Sequence, residues 1–310
     1  MKNPKAVLAG GSGCLGRLLA RDLLKRGYEV TVLSRHPARE TTAVTEMGWD
    51  GKNPGPWMEA IENSQVLINL AGRSVDCRYH AANRRDILNS RVDSTRALGL
   101  AIQKCRHPPA VWLNSSTATI YKHSLDRPRD ETGEIGATPE AKDAFSITVA
   151  QAWEAALAEM ETPGTRKIAL RTAMVLSRCG GVFPVLRRLV RFGLGGAMAG
   201  GRQYVSWIHE MDFCEAIAWL IARDGIHGPV NVVAPNPIPN RDMMHALRDI
   251  CGVPVGLPGN AWILEVGAWL LRTETELIIK SRRVMPARLA DSGFKFRFEQ
   301  IRDAFQELVV

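Results

Sequence analysis

Three glycines at the spacing Gly10-x-x-Gly13-x-x-Gly16 follow an apolar run from Val7 and precede a helical pattern over Arg17–Lys25. Strand, glycine turn and helix in that order form a cradle for a diphosphate. The first glycine permits the tight turn, the second lets backbone N–H groups approach the phosphates, and the third lets the helix lie on the strand. Ser12, Cys14 and Leu15 share that cradle, at the positive end of the helix dipole. The second strand, Glu29–Leu33, runs into Ser34-Arg35-His36 with no Asp or Glu where an acid would bond a ribose 2′-hydroxyl. Arg35 can instead fork onto a 2′-phosphate with two charge-assisted bonds, and Ser34 can add a neutral donor. These residues imply NADP(H) rather than NAD(H).

Positioning such a site requires a parallel sheet, and the rest of the chain supplies one. Apolar strands alternate with amphipathic helices through the first half, which predicts a doubly wound α/β fold covered on both faces. Val66-Leu67-Ile68-Asn69-Leu70-Ala71-Gly72 reads as a buried strand entering a turn. A short helix is expected over Trp57–Glu62 and a long basic one over Ala81–Lys104. Next come a strand over Ala110–Asn114, a Pro-, Gly- and charge-rich loop over 123–143, a helix over Phe145–Glu161 and a strand over Lys167–Val175. Beyond Leu176, Gly-rich turns bracket a basic helix, Phe183–Arg191, and the β-α-β pattern resumes only to reach a strand at Pro229–Val233. The expected organisation is a Rossmann domain from 1–176 and 209–234. A smaller, mainly helical C-terminal lobe from 177–208 and 235–310 would cap the substrate.

Composition narrows the partners. The 310 residues are 45% hydrophobic, enough for a large core, and Lys+Arg exceed Asp+Glu by 40 to 32. The basic residues are spread over Arg73–Arg91, Arg187–Arg191 and Lys280–Arg288 without a nucleic-acid motif, which suits an anionic cofactor or an anionic small-molecule substrate. The six cysteines contain no C-x-x-C pair, so no metal site is expected, and they read as reduced, mostly buried thiols of a cytoplasmic protein. The run Ala261–Leu271 contains Glu265 and is too short to span a bilayer. No membrane and no nucleic-acid partner is expected, and a homodimer remains one option for the assembly.

The chain resembles the extended short-chain dehydrogenase/reductases, and within them the atypical "epimerase family" group. The resemblance is carried by Gly10–Gly16, Val66–Gly72, Gly193-Leu194-Gly195-Gly196 through Trp207-Ile208-His209 to Asp212, and Gly228–Pro235. Arg283-Val284-Met285-Pro286 leading to Gly293-Phe294 is similar to that group's C-terminal segment of unknown function. The resemblance implies that Asp50 faces the adenine and that Asn69, Leu70, Ala71 and Gly72 lie beside the adenosine and diphosphate. It also implies that Ser116, Arg171 and Thr172 lie toward the nicotinamide, with His209 and Asn231 near the substrate. Working members carry Tyr-x-x-x-Lys, but anchoring on Glu154 puts Ser146 and Ala150 at those places. Thr117 keeps the hydroxyl position on the preceding strand, and Arg91, expected among the cofactor-binding residues, stands where a helix asparagine is usual.

Other groups must then handle any proton. Tyr121 lies at the end of the fifth strand, but a phenol titrates near ~10 and needs a cation such as Arg91 or Lys122 to act at neutral pH. His209 titrates near neutrality and is the other candidate. Each has a plainer reading, as a packing tyrosine and as a histidine tying the cap to the sheet. Arg91 is read either as a clamp for a carboxylate or phosphate or as part of a solvated face. The expected function is an NADP(H)-dependent oxidoreductase or epimerase-like protein without the Tyr/Lys pair. The alternative is a non-catalytic NADP(H)-binding regulator of a protein partner.

Overall fold

The computed structural model describes residues 3–37, 43–259 and 276–310. The first strands and helices are β1 (Lys5–Ala9), α1 (Cys14–Lys25), β2 (Glu29–Ser34), β3 (Thr45–Gly48), β4 (Val66–Asn69), α2 (Ala81–Gln103), β5 (Val111–Thr117), α3 (Ala144–Glu159) and β6 (Arg166–Thr172). They are followed by β7 (Met174–Leu176), α4 (Val182–Arg191), β8 (Tyr204–Val205), β9 (Trp207–His209), α5 (Glu210–Ala222), β10 (Gly228–Val232), β11 (Ile238–Pro239) and α6 (Asn240–Cys251). Seven strands form one sheet in the order β10-β6-β5-β4-β1-β2-β3, and every pairing in it is parallel. The order reverses between β1 and β4, which opens a crevice at the carboxyl ends of the strands.

Both faces of the sheet are covered, so β4 is buried along its whole length and β1 from Ala6 to Ala9. Alternate β1 side chains go to opposite layers. Ala6 and Leu8 pack with Leu19 and Leu23 of α1 and Phe213, Ile217 and Leu220 of α5. Val7 and Ala9 pack with Ala97, Leu98 and Ala101 of α2 and Leu157 of α3. The α2–α3 contact is close at Gly99, where an added Cβ would stand 2.5 Å from Cγ of Met160. The second lobe has its own core, in which Phe183 and Leu186 of α4 meet Met243 and Leu247 of α6 and Phe305 of the C-terminal helix Ile301–Val309.

Several expectations change with the tertiary context. The strand expected over Lys167–Val175 is two, because the chain leaves β10 at Ala173 and β7 pairs with β9 instead. The helix expected at Trp57–Glu62 is a 3-10 turn, Pro56–Ala60. The 123–143 loop is tied to the C-terminal segment, with Arg129 N–H donating to Arg283 O at 2.7 Å and Met285 N–H to Arg129 O at 2.8 Å. A buried ion pair, Lys280 with Asp143, closes the same contact. Among the described residues after 235, Leu289 and Phe294 pack into the same core as β1, α1 and α5.

The cysteines also depart from the reduced set expected. Cys14 and Cys179 form a disulfide with Cα atoms 6.1 Å apart, while Cys77, Cys105, Cys214 and Cys251 are free thiols. No spacing motif announces that bond, since 165 positions separate its ends. The run Ala261–Leu271 lies outside the described residues. Among those described, no helix is long and apolar enough to cross a membrane.

Candidate functional site

The glycine turn is built as its spacing requires. Gly10 has φ +75°, and a Cβ there would stand 2.7 Å from the Ala71 Cα. A Cβ on Gly16 would stand 2.3 Å from the Gly11 carbonyl oxygen. Both glycines are therefore imposed by the protein's own backbone. Gly13 differs, because a Cβ there would meet nothing within 4 Å. Gly13 is the N-cap of α1, where no side chain caps the helix and no acid sits in the first turn. The first N–H groups of α1 thus lack a side-chain cap, and the space beside Gly13 is open, which fits a diphosphate.

The flanking turns are fixed by buried amides. Asn69 at the end of β4 accepts from Ala71 N–H at 3.0 Å and donates to Asn114 Oδ1 at 2.7 Å. Those bonds hold Leu70, Ala71 and Gly72 beside Gly10. Ser12 is exposed, its carbonyl accepting from Arg17 at 2.6 Å. Buried Ser34 accepts from His36 N–H at 3.3 Å, and Arg35 next to it is exposed. Asp50 is exposed and accepts from the backbone of Lys52 and Asn53 at 3.0 and 2.9 Å. The Asn53 and Lys52 N–H groups hold its carboxyl below the usual range.

A cavity of about 490 Å³ opens over the carboxyl ends of β4, β5 and β6. Cys14, Leu15, Leu70, Ser116, Thr117, Thr172 and Arg91 all line it. Thr117 Oγ1 accepts from Thr119 N–H at 3.1 Å. Its own O–H has no acceptor among the described residues and is available to the cavity. Ser116 instead donates to Glu154 Oε1 at 2.6 Å. Ile87, Arg91, Ser94 and Leu98 recur at three- and four-residue steps along α2, so Arg91 lies on the buried face rather than a solvated one. Burial brings the Arg91 guanidinium down to about 10.

Tyr121, Arg171 and His209 lie elsewhere; none lines the cavity. Arg171, 4% exposed, grips Glu154 with two bonds of 2.9 and 2.8 Å. Its remaining arm donates to the Tyr121 hydroxyl at 2.8 Å, and that hydroxyl donates to Asn231 Oδ1 at 2.7 Å. Burial pushes the phenol upward against the opposing pull of Arg171. His209 is fully buried against Phe298, with 3.9 Å between ring centroids. Its Nδ1 accepts from Met211 N–H at 3.1 Å and its Nε2 lies 3.0 Å from Glu307. Burial pulls its pKa down more strongly than Glu307 raises it. Neither Tyr121 nor His209 lines the cavity: Tyr121 joins the end of β5 to β6 and β10, and His209 joins β9 to the C-terminal helix.

Two groups went unassigned in the sequence. The Glu154–Arg171 pair is one: α3 also carries Glu159 and β6 also carries Arg166 and Lys167, so no local pattern marks these two as the buried pair. Cys179 gave no signal. The cavity also gains an apolar wall from Val75, Ile87, Phe145, Val149 and Trp153, residues that periodicity assigns simply to packing.

The chain resembles known proteins over nearly its whole length. It is 32% identical over 305 residues to the epimerase family protein YfhF of Bacillus subtilis, covering 98% of this chain and 97% of that protein. It is 28% identical over 308 residues to the human epimerase family protein SDR39U1, covering 98% and 99%. The crystal structure of human SDR39U1 isoform 2 with NADPH superposes with a TM-score of 0.84 at 25% identity, covering 98% of each chain. A domain of unknown function, DUF1731, matches residues 261–308. With the NAD dependent epimerase/dehydratase family model matching residues 6–234, the chain belongs to that family.

Proposed function

We propose that this protein binds NADP(H) and acts as an oxidoreductase or epimerase-like enzyme on a small molecule held over β4, β5 and β6. The observation that carries the reading is Gly13, which faces open space at the uncapped start of α1 while its partner glycines are packed against backbone. The human relative crystallised with NADPH supports the same cofactor. Gly10, Gly13 and Gly16 would receive the diphosphate, and Arg35 with Ser34 the 2′-phosphate. Asp50 would lie at the adenine end, while Leu70, Ala71 and Gly72 would border the adenosine and diphosphate. Bound NADP(H) supplies hydride transfer. Thr117 would orient a substrate oxygen through its free O–H, and Ser116 is held for the nicotinamide side by Glu154. Ser146 and Ala150 occupy the Tyr and Lys places of working relatives, so proton transfer falls to water or to the substrate itself.

NADPH and NADH affinities of the wild type and of Arg35→Ala, measured by cofactor fluorescence, test the reading. Loss of a charge-assisted fork, roughly 1.5–3 kcal/mol, predicts NADPH weakened about 10- to 100-fold with NADH little changed. Equal losses would remove the 2′-phosphate assignment. Gly13→Val folds but binds neither nucleotide; retained affinity would remove the cradle. NADPH oxidation in the presence of a carbonyl panel then separates an enzyme from a nucleotide-binding regulator.

A further inference from the structure

Arg91 is the one charged residue lining the cavity among the described residues, and no carboxylate lines it. Its guanidinium lies over the Trp153 ring, 5.0 Å from the centroid. Only Nη1 donates to the protein, to the Arg73 and Ile87 carbonyls at 3.0 Å each. Nε and Nη2 have no acceptor among the described residues. Arg171, by contrast, meets a buried carboxylate with two bonds. A guanidinium drawn out of water and left without an anion is costly, and the cost is recovered when a ligand brings the anion.

We propose that Arg91 anchors a small organic monoanion, a carboxylate on an apolar body, as the substrate class of this cavity. The Nε–Nη2 edge presents two parallel donors, the geometry of one carboxylate. One cation balances one charge, whereas a nucleoside diphosphate would bring at least two negative charges to a wall holding a single positive one. Ile87, Phe145, Val149 and Trp153 line the same cavity and suit an aromatic or branched aliphatic body. The cavity of about 490 Å³ must also admit the nicotinamide end of the cofactor, which keeps the substrate small. The proposal rests on the NADP(H) reading above, so cofactor binding is measured first and separately.

Calorimetric titration of the full chain saturated with NADPH tests it, with phenylacetate, phenylacetamide and UDP as probes. Wild type should bind the acid at least tenfold tighter than the isosteric amide, with UDP failing to displace it. Arg91→Met should abolish the preference for acid over amide, and Arg91→Lys should restore part of it. Equal affinity for acid and amide, no binding of either, or a preference that survives Arg91→Met would overturn the proposal. Displacement of the acid by UDP would overturn it in favour of a nucleoside diphosphate. Loss of NADPH affinity in Arg91→Met with the acid preference intact would reassign the anion to the cofactor. If Arg91→Met does not fold, the wild-type acid-to-amide ratio and the lysine variant decide. Wild type that binds no NADPH would overturn the cofactor reading. NADPH bound without acid preference would overturn this proposal alone.

Discussion

Arg171 can be buried because Glu154 meets it bidentately, and Tyr121 is buried because Arg171 and Asn231 satisfy its hydroxyl from both sides. In such a chain each member's removal leaves another group unpaired. Tyr121→Phe removes the nearer of the two acceptors of Arg171 Nη1, leaving the Glu131 carbonyl at 3.3 Å, and takes the donor from Asn231 Oδ1. It should lower the unfolding free energy by about 1–3 kcal/mol in urea titrations, with NADPH affinity within threefold of wild type. An unchanged unfolding midpoint would show that the hydroxyl is dispensable to the network. At this scale the sequence is informative where backbone geometry dictates the residue, as at Gly10 and Gly16. It is silent where a role depends on the partner across space, which is why Tyr121 and His209 read equally well as proton carriers and as structural groups.

Between elements, the Cys14–Cys179 bond joins the first residue of α1 to the turn between β7 and α4, at the edge of the cavity. It links the glycine turn before α1 to the segment leading into α4 covalently. Alkylation of the denatured protein should count four thiols without reductant and six after dithiothreitol, following the free and total cysteines. Cys179→Ser should cost about 2–4 kcal/mol of stability under oxidising conditions, the usual worth of a cross-link closing a long loop. Six thiols without reductant would show that the bond does not form. Element types were legible from periodicity for α1, α2, α3 and the buried β4, since each depends on contacts a few residues apart. The division of residues 166–176 into β6 and β7 was not, because the strand changes partner from β10 to β9 while its own sequence stays apolar.

Across the whole molecule, buried His209 and half-buried His123 tie distant segments together, His209 to Glu307 and His123 to Ser281. His209 accepts from Met211 and His123 accepts from Ser281 N–H at 3.1 Å, each through Nδ1. Burial holds both pKa values below the ordinary 6.5. The unfolded chain therefore takes up these protons first as pH falls, so their contribution is complete above about 6.5 and is lost as pH drops toward the folded-state values. Buried Asp212 and half-buried Glu131 are shifted upward and act in the opposite sense, so the histidine effect is read as a difference. Unfolding free energies at pH 7.5 and 5.5 should fall less steeply in His209→Asn, whose Oδ1 can still accept from Met211. An identical slope would place the pH dependence elsewhere.

The amino-acid sequence by itself determined the Rossmann architecture, the strand–glycine–helix order around Gly10, Gly13 and Gly16, and the basic residue Arg35 just past β2. All of these are set by residue type and spacing over a few positions. Only the tertiary structure decided that Arg91 faces a cavity, that Arg171 is spoken for by Glu154, and that His209 is bonded to Glu307, 98 positions away. It alone decided that Cys14 meets Cys179. Those outcomes depend on which groups the folded chain brings together and which it removes from water, and desolvation and pairing are properties of the packed interior rather than of any local stretch.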